Sequence, residues 1–218
     1  MKVLQHIKNL GFYPENVLDV GANKADWSRS CRTFFPRAHY SLIEPQVEMH
    51  GYLHNFSCET GSNYVLCAAG SHDGEGLLTV WKDKCGSCML PENGYRFEDG
   101  ELAEQRKVDV FTIDSLIKSE KIRQPNLVKI DTQGFELEIL KGFTNLSRVE
   151  IIILEVFFFE FVKGQPLFHK TVNFMNEAGF LCYDLFNFMR RPADESLGCC
   201  DVCFVNKNSL LKKSSKWN

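Results

Sequence analysis

Short apolar runs alternate with longer amphipathic stretches along most of this chain of 218 residues. Runs of this kind are typical of strands buried on both faces, and the stretches between them carry apolar residues at helical spacing. Because parallel neighbours must be joined by a crossover, this order predicts a mostly parallel α/β sheet with helices on both faces. The predicted strands are residues 17–20, 40–43, 64–68, 127–130, 151–154, 180–185 and 201–205.

Two regions depart from this alternation. Residues 70–125 contain two strand-like pieces, 77–82 and 108–113, on either side of a glycine- and charge-rich loop. This composition predicts a small β-rich insertion between the third and fourth strands of the sheet. The last two predicted strands are joined by a short polar connection without a helical pattern, which predicts an antiparallel pair. The length fits a single domain over residues 1–218.

Capping residues indicate where helices begin and end. Asn23 follows the first predicted strand and is expected to cap the next helix, with Asp26 in its first turn. A later helix is predicted over Glu136–Lys141, because its leucines share one face. Gly142 is expected to end that helix in a left-handed conformation.

Charge and composition narrow the classes of partner. A formal net charge of −3 provides no positive field that would gather phosphates, so nucleic-acid binding is not expected and a small or neutral substrate fits better. The N-terminal residues show no secretory pattern. The longest apolar run, residues 151–159, is interrupted by Glu155 and is too short for a membrane span. The expected protein is therefore soluble and cytoplasmic.

The cysteines raise the question of a metal site. Nine cysteines form an odd set in a chain without an export signal, which favours reduced thiols. Cys85 with Cys88 and Cys200 with Cys203 have the C-x-x-C spacing of zinc ligands. The second pair lies in a strand-like run, however, where positions three apart point to opposite faces. No metal is therefore predicted.

The first motif that carries chemistry is Val17-Leu-Asp-Val-Gly-Ala-Asn23, a strand that bears an acid and runs into a glycine turn. Such a turn suits the close approach of a nucleotide-like ligand to the backbone at Gly21, with Asp19 and Asn23 beside it. Glu44 ends the next predicted strand. A carboxylate at that place can accept both hydroxyl protons of an unphosphorylated ribose.

The type of nucleotide follows from what this turn lacks. A dinucleotide site needs G-x-G-x-x-G, whereas the matching positions here are Gly21, Asn23 and Asp26. A pyrophosphate would face Asp26, whereas S-adenosylmethionine has no phosphate and its ammonium can pair with Asp19. The pattern favours S-adenosylmethionine. A nicotinamide oxidoreductase and a non-catalytic binding protein with a degenerate pocket remain as alternatives.

Carboxylates also end two later predicted strands. Leu127-Val-Lys-Ile-Asp131 runs into a turn and a helix, and Ile151-Ile-Ile-Leu-Glu155 ends the next strand. Ligands of open α/β sheets bind outside the carboxyl ends of the strands, so both acids are expected to face the nucleotide crevice. Either could take the proton of an acceptor alcohol, with His72 and His169 as further candidates.

Taken in order, the motifs of this chain resemble the FkbM-type methyltransferases. The resemblance runs from about residue 11 to 210, and five motifs in one order and spacing make it specific. The motifs are Val17-Leu-Asp-Val-Gly-Ala-Asn23 followed by Trp27, Leu42-Ile-Glu-Pro45, Ala68-Ala-Gly-Ser-His-Asp-Gly74, Thr112-Ile-Asp-Ser-Leu116 and Val128-Lys-Ile-Asp-Thr-Gln-Gly-Phe-Glu-Leu-Glu-Ile-Leu-Lys-Gly142, with Leu154-Glu155 and Asp201-Val-Cys-Phe-Val205.

The resemblance implies a Rossmann-like seven-stranded methyltransferase sheet, S-adenosylmethionine as cofactor, and O-methylation of sugars, lipids or polyketide-type hydroxyls. The acceptor would be a small molecule or a glycan. Gly21 and Glu44 carry over as cofactor contacts, with Asp19 beside them and Asn23 in the same turn. The resemblance places the adenine at Ala68 and Ala69, with Ser71 and Asp73 as polar contacts.

Two further features bear on the acceptor. The chain departs from the common family pattern at Thr132-Gln133, where an acidic residue usually precedes the glycine. The run Phe157-Phe-Phe-Glu-Phe161 lies just beyond Glu155 and is interpreted either as ordinary core or as an apolar lid over the acceptor.

Overall fold

A computed structural model describes residues 2–82, 84–90, 96–97, 100–209 and 211 of the protein. The strands are β1 Asn16–Val20, β2 His39–Ile43, β3 Asn63–Val65, β4 Ala68–Ala69, β5 Gly74–Val80, β6 Glu104–Phe111, β7 Leu127–Ile130, β8 Ile151–Phe157, β9 Phe180–Arg190 and β10 Leu197–Asn206. The α-helices are α1 Lys2–Asn9, α2 Asp26–Phe34, α3 His50–Thr60, α4 Ile113–Lys118, α5 Glu136–Lys141 and α6 Phe168–Glu177, with single 3-10 turns at Val47–Met49 and Leu146–Arg148.

The main sheet confirms the predicted Rossmann-like class. Its seven strands lie in the order β3-β2-β1-β7-β8-β10-β9. Strands β3, β2, β1, β7 and β8 pair in parallel, whereas β10 pairs antiparallel with both β8 and β9. The short polar connection between β9 and β10 therefore makes the antiparallel pair that the sequence predicts. The direction in which successive strands are added to the sheet reverses between β1 and β7, so the carboxyl ends of those two strands border a crevice.

The predicted third strand is divided between two sheets. Strand β3 ends at Val65, and Ala68–Ala69 instead pairs in parallel with β6 in a small sheet of order β4-β6-β5. This sheet is the β insertion that the sequence predicts between the third and fourth main strands. Its first strand brings the two alanines to the crevice at the end of β2.

Apolar side chains fill both faces of the main sheet. Leu18, Val128 and Ile152 belong to a core on the α4, α5 and α6 side, whereas Val17 and Ile151 pack on the α1, α2 and α3 side. All five are at most 1% exposed. Fully burying one such side chain contributes roughly 1.5–3 kcal/mol, so this double layer holds the strand ends rigidly in place.

Two predicted helix caps are wrong. Helix α2 begins after Ala25, which has a φ of 64° and makes no side-chain cap hydrogen bond. Asn23 instead donates its amide to the Lys84 carbonyl oxygen at 2.8 Å. Helix α5 has the predicted bounds, but Gly142 has a φ of −89°. Gly142 must lack a side chain because a Cβ there would lie 2.1 Å from the Gly70 carbonyl oxygen.

The cysteine pair of β10 has the geometry that the strand pattern predicts. Cys200 packs in the core on one face of the sheet and Cys203 in the core on the other. Within the described ranges, no three His, Cys, Asp or Glu side chains are grouped as a metal site. In those same ranges no helix combines the length and the apolar character that crossing a bilayer requires.

Candidate cofactor and acceptor site

A cavity of about 250 Å³ opens at the carboxyl ends of β1, β2 and β7. Its described lining contains two acidic side chains, Glu44 and Asp131, and no lysine, arginine or histidine. The described lining residues are Val20, Gly21, Asn23, Ile43, Glu44, Pro45, Gln46, Ala68, Ala69, Leu78, Cys85, Ser87, Cys88, Met89, Asp131, Thr132, Gln133, Phe135 and Ile139. The cavity is therefore negative at two points of its wall and apolar along much of the rest.

Gly21 forms the turn after β1 in the left-handed region, with a φ of +78°. A Cβ at this position would lie 2.0 Å from the carbonyl oxygen of Asp131. The sequence interpretation attributed this glycine to the approach of a ligand. The structure shows a second cause, because the turns after β1 and β7 touch backbone to backbone at Gly21 and leave no room for a side chain.

The Glu44 carboxylate is oriented by main-chain donors. It is 3% exposed, and its Oε2 accepts from the Asn23 backbone N–H at 2.8 Å. Its Oε1 accepts from the Gln46 backbone N–H at 2.9 Å and from the Gln46 amide at 3.2 Å. Burial raises the pKa of Glu44, while these hydrogen bonds oppose the rise. A carboxylate has about four acceptor sites, so capacity remains for a ligand.

The apolar part of the cavity lies beside Glu44. Ala68 and Ala69 are each 4% exposed and reach the wall from the small sheet. Phe135 and Ile139 reach it from the turn and helix after β7, and Met89 from the loop after β5. Apolar walls with a few fixed polar groups are the usual form of a small-molecule site.

Besides Glu155 and His169, four predicted site residues lie outside the described lining of the cavity. Asp19 is 1% exposed and accepts from the Ser28 hydroxyl of α2 at 2.6 Å. Burial raises its pKa to about 6, although the Ser28 hydrogen bond opposes the rise. Its carboxylate therefore joins β1 to α2 and does not face the ligand.

The other three belong to the segment after β4. Asp73 accepts from the Thr112 backbone N–H at 2.7 Å and from the Ser115 hydroxyl at 2.6 Å, so it holds the start of α4. These hydrogen bonds lower the pKa of Asp73. Ser71 and His72 lie 3.3 Å apart, Oγ to Nδ1, and His72 is exposed. The remaining histidine candidate, His169, is exposed on α6.

Asp131 is held by a buried lysine that sequence reasoning did not select. Lys129 is 2% exposed, and its Nζ lies 2.9 Å from Asp131 Oδ2 and 3.3 Å from Asp201 Oδ1. Asp201 also accepts from the Asn187 amide at 2.7 Å. The signal in the sequence is a lysine inside an otherwise apolar strand, since a lysine is almost never fully buried unless it is paired.

Gln133 joins the two predicted acids. Its amide nitrogen donates to Asp131 Oδ1 at 3.0 Å and to Glu155 Oε2 at 2.7 Å. Glu155 is 7% exposed, and the Cys199 thiol lies 3.8 Å from its Oε1. The acids thus lie together as predicted, but Asp131 faces the cavity and Glu155 lies behind Gln133. We call Lys129, Asp131, Gln133, Glu155 and Asp201 the acid network.

Burial and neighbouring charges shift the pKa values of Asp131 and Glu155 in opposite directions. Burial, and then the negative charge of Asp131, raise the pKa of Glu155 to about 9. Burial also acts to raise the pKa of Asp131, but the Lys129 charge and the hydrogen bonds with Lys129, Glu155 and Gln133 together outweigh it and hold that pKa below its usual value. At neutral pH the pair therefore carries one proton, on Glu155, and Asp131 is ionised.

The phenylalanine run is split between the two interpretations that the sequence left open. Phe157 is buried at the end of β8, and Phe158 stacks on Phe168 with ring centroids 5.1 Å apart. Phe159 and Phe161, however, are 37% and 50% exposed. Half of the run is core, and the other half presents aromatic surface beyond the acid network.

Comparison with known proteins agrees with this geometry. A family model described as the methyltransferase FkbM domain matches residues 19–182. The hexuronic acid methyltransferase AglP of Haloferax volcanii is 48% identical over 44 residues, a stretch that spans 20% of this chain and 18% of that relative. The chain thus aligns with less than a fifth of that relative's length.

Two solved structures show the same fold at low sequence identity. Magnesium protoporphyrin IX methyltransferase of Synechocystis PCC 6803, solved with bound SAM, aligns with a TM-score of 0.52 at 12% identity, over 94% of this chain and 75% of that one. The fibrillarin pre-rRNA processing protein of Methanococcus jannaschii aligns with a TM-score of 0.51 at 9% identity, over 88% and 66%. Because the family model covers more than half of its length, the chain belongs to the FkbM methyltransferase family, whose cofactor is S-adenosylmethionine.

Proposed function

We propose that this protein transfers a methyl group from S-adenosylmethionine to a hydroxyl oxygen of a sugar, either free or within a glycan. The observation that carries the proposal is the charge of the cavity. Its described lining holds Glu44 and Asp131 but no cationic side chain, which suits a positively charged sulfonium nucleoside and opposes a pyrophosphate.

Each part of the cavity matches one part of this cofactor. Glu44, oriented by two backbone N–H groups, would accept the ribose hydroxyls. Ala68 and Ala69 would contact the adenine, because their small side chains leave room for a flat ring. Gly21 and Asn23 would lie along the chain between the ribose and Asp131. Asp19, Ser71 and Asp73 receive no direct contact in this proposal, because their side chains bond elsewhere in the protein.

The acid network would handle the proton of the acceptor. Bound S-adenosylmethionine supplies an electrophilic methyl group, but an alcohol is a poor nucleophile until its proton is removed. Asp131 is ionised, and its side chain is 37% exposed at the cavity, so it is placed to receive that proton. Glu155 would keep its own proton and, with Gln133 and Lys129, hold Asp131 in one orientation. His72 is given no role as a base.

The sugar class rests on the relative and on the polar groups of the site. AglP, which shares a 44-residue stretch with this chain, is described as acting on a hexuronic acid. Carboxylate and amide groups such as Asp131 and Gln133 are suited to the several hydroxyls of a sugar ring. A lipid alcohol would leave these polar groups desolvated without partners, which is unfavourable.

The first experiment separates the proposal from its alternatives. Calorimetric titration with S-adenosylhomocysteine and with NADH should give binding only for the first compound. Incubation with S-adenosylmethionine and a panel of neutral and acidic sugars should then give a product heavier by one CH₂ unit, and resistance of the new methyl group to mild base would distinguish an ether at a hydroxyl from a carboxylate ester. Binding of NADH alone would identify an oxidoreductase. Binding of neither compound would leave a protein with a degenerate pocket.

A further inference from the structure

An exposed aromatic surface with one cation lies at the end of β8 and at the β9–β10 hairpin. The Arg191 guanidinium carbon is 4.3 Å from the centre of the Phe159 ring. The rings of Phe159 and Phe161 are 6.1 Å apart between centroids. Gly198 lies between them, because a Cβ there would be 3.3 Å from Arg191 Cγ and 3.4 Å from Phe161 Cζ. We call Phe159, Phe161 and Arg191 the arginine–phenylalanine patch.

This patch adjoins the acid network. Gly198 precedes Cys199, whose thiol is 3.8 Å from Glu155 Oε1. Cys199 also pairs with Phe157, two residues beyond Glu155 on β8. The backbone that carries the patch therefore continues directly into the strand ends that carry the acids. The patch and the acid network thus lie at the same ends of β8 and β10.

The protein itself leaves apolar area and hydrogen-bond donors of the patch uncovered. Phe161 is 50% exposed, although an aromatic ring gains free energy when it is buried. Arg191 Nε lies 3.5 Å from Asp194 Oδ1, a carboxylate that is itself 46% exposed. The two terminal nitrogens of Arg191 make no hydrogen bond within residues 2–82, 84–90, 96–97, 100–209 and 211. The guanidinium thus lies over a ring, and the Arg191 side chain is 29% exposed.

Resting on the proposed function, we infer that the arginine–phenylalanine patch binds an acidic sugar of the acceptor through its carboxylate. The planar fork of Arg191 presents two parallel N–H donors that match a carboxylate. The exposed ring of Phe161 offers an apolar face to the C–H groups of the sugar. The Phe159 ring restricts the Arg191 guanidinium before the sugar binds, which lowers the conformational entropy lost on binding.

Charge makes this choice selective. The acids of the network repel an anion, so a uronate could not lie with its carboxylate at Asp131. The same uronate gains a charge-assisted pair if its carboxylate lies at Arg191 and its hydroxyls lie toward Asp131. A neutral sugar lacks the first contact. The patch therefore sets both the class of sugar and the direction in which it enters.

The test measures binding of two sugars that differ in this one group. The protein is saturated with S-adenosylhomocysteine and titrated with 4-nitrophenyl β-D-glucuronide or 4-nitrophenyl β-D-glucoside, and affinity is read by ligand-observed NMR. The wild type should prefer the glucuronide, and Arg191→Gln should weaken it about tenfold or more while leaving the glucoside unchanged. Arg191→Lys should weaken it less. Arg190→Gln removes the same charge at the adjacent position, where the side chain donates to the Glu195 carbonyl oxygen at 2.8 Å, and it should leave the preference for the glucuronide unchanged.

The outcomes separate this inference from the proposed function. Equal affinity for the two sugars, no detectable binding of either, or an equal loss in Arg190→Gln would overturn the anion site. Each of these can be read with S-adenosylhomocysteine bound, which leaves the methyltransferase proposal standing. If S-adenosylhomocysteine fails to bind, the proposed function falls, and the glucuronide preference still decides the inference.

Discussion

The nucleoside part of the cavity and the acid network beside it are built by different kinds of interaction. Around the proposed nucleoside, Glu44 is oriented by the backbone N–H groups of Asn23 and Gln46, and Gly21 touches the backbone of Asp131. In the acid network, side chains hold side chains across several strands. A site that is held by main-chain groups tolerates most side-chain substitutions but not those that change the backbone. In a site that is held by paired charges, almost any substitution of a charged member changes the pKa values of the others.

The largest predicted effect comes from adding one methyl group at Gly21, in the part of the cavity that the backbone builds. The Gly21→Ala variant would place its Cβ 2.0 Å from the Asp131 carbonyl oxygen, where neither backbone can move without breaking the sheet pairing of β1 and β7. We expect loss of the folded state or a destabilisation above about 3 kcal/mol. Thermal unfolding followed by circular dichroism measures it.

Gly11→Ala is the matched control for this change. Gly11 also has a positive φ, +90°, but a Cβ there meets nothing within 4 Å. The free energy of unfolding of the control variant should fall only by the cost of placing alanine in the left-handed backbone region, about 1–2 kcal/mol. Similar melting temperatures for the two variants would show that the contact between the two turns is not the reason for glycine.

Removing the charge of Asp131 should have the next largest effect. Asp131→Asn keeps the shape of the group but cannot accept the acceptor proton, so turnover should fall about 10²–10⁴-fold. Affinity for S-adenosylhomocysteine should change little, because this product lacks the sulfonium charge that Asp131 would attract in S-adenosylmethionine. Asp109→Asn, an exposed carboxylate on β6, is the control. Full turnover in both Asp131→Asn and Glu155→Gln would exclude a carboxylate base.

A smaller effect is expected when Glu44 becomes an amide. In Glu44→Gln the new NH₂ group faces either the Asn23 or the Gln46 backbone N–H, and both are donors. The side chain should turn away from the ribose, and the affinity for S-adenosylhomocysteine should fall about tenfold with kcat nearly unchanged. Calorimetry measures the affinity, and Glu59→Gln, an exposed acid on α3, is the control. An unchanged affinity would remove Glu44 from the ribose site.

The smallest effect concerns pH. Between the ordinary pKa of 4.5 and the folded value of about 9, folded Glu155 binds a proton that the unfolded chain has lost, so stability falls as the pH rises. Glu155→Gln should remove this slope. Its melting temperature relative to wild type should increase steadily from pH 5 to pH 9 and then stay constant. The control is Glu177→Gln on α6. A difference in melting temperature between Glu155→Gln and wild type that does not change with pH would contradict the raised pKa of Glu155.

The strand and helix pattern was predictable to a large extent, because it follows from local periodicity. Helix α5 has its predicted bounds, and the antiparallel β9–β10 pair follows from the missing crossover. The caps at Asn23 and Gly142 were wrong for one shared reason. Each residue is shaped by a contact from a distant segment, the Lys84 carbonyl for Asn23 and the Gly70 carbonyl for Gly142. A local pattern contains no information about such contacts.

Within the site, sequence reasoning correctly brought Asp131 and Glu155 together, because neighbouring parallel strands end at one edge of a sheet. It did not identify Lys129 or the bridging amide of Gln133, which act through contacts between separate strands and turns. It placed Asp73 at the cofactor, whereas the structure uses its carboxylate to hold α4. A motif shows that an acid is present but not which donors reach it.

By itself, the sequence determined where most strands lie along the chain, the glycine turn after β1 and the presence of acids at the strand ends. These properties depend on steric limits and on apolar spacing within a few residues of each position. Only the tertiary structure decided that Asp19 faces α2, that Asp131 lies beside a buried lysine and that Glu155 keeps its proton. Those outcomes depend on burial and on distances between charges from separate strands, which exist only once the sheet has formed.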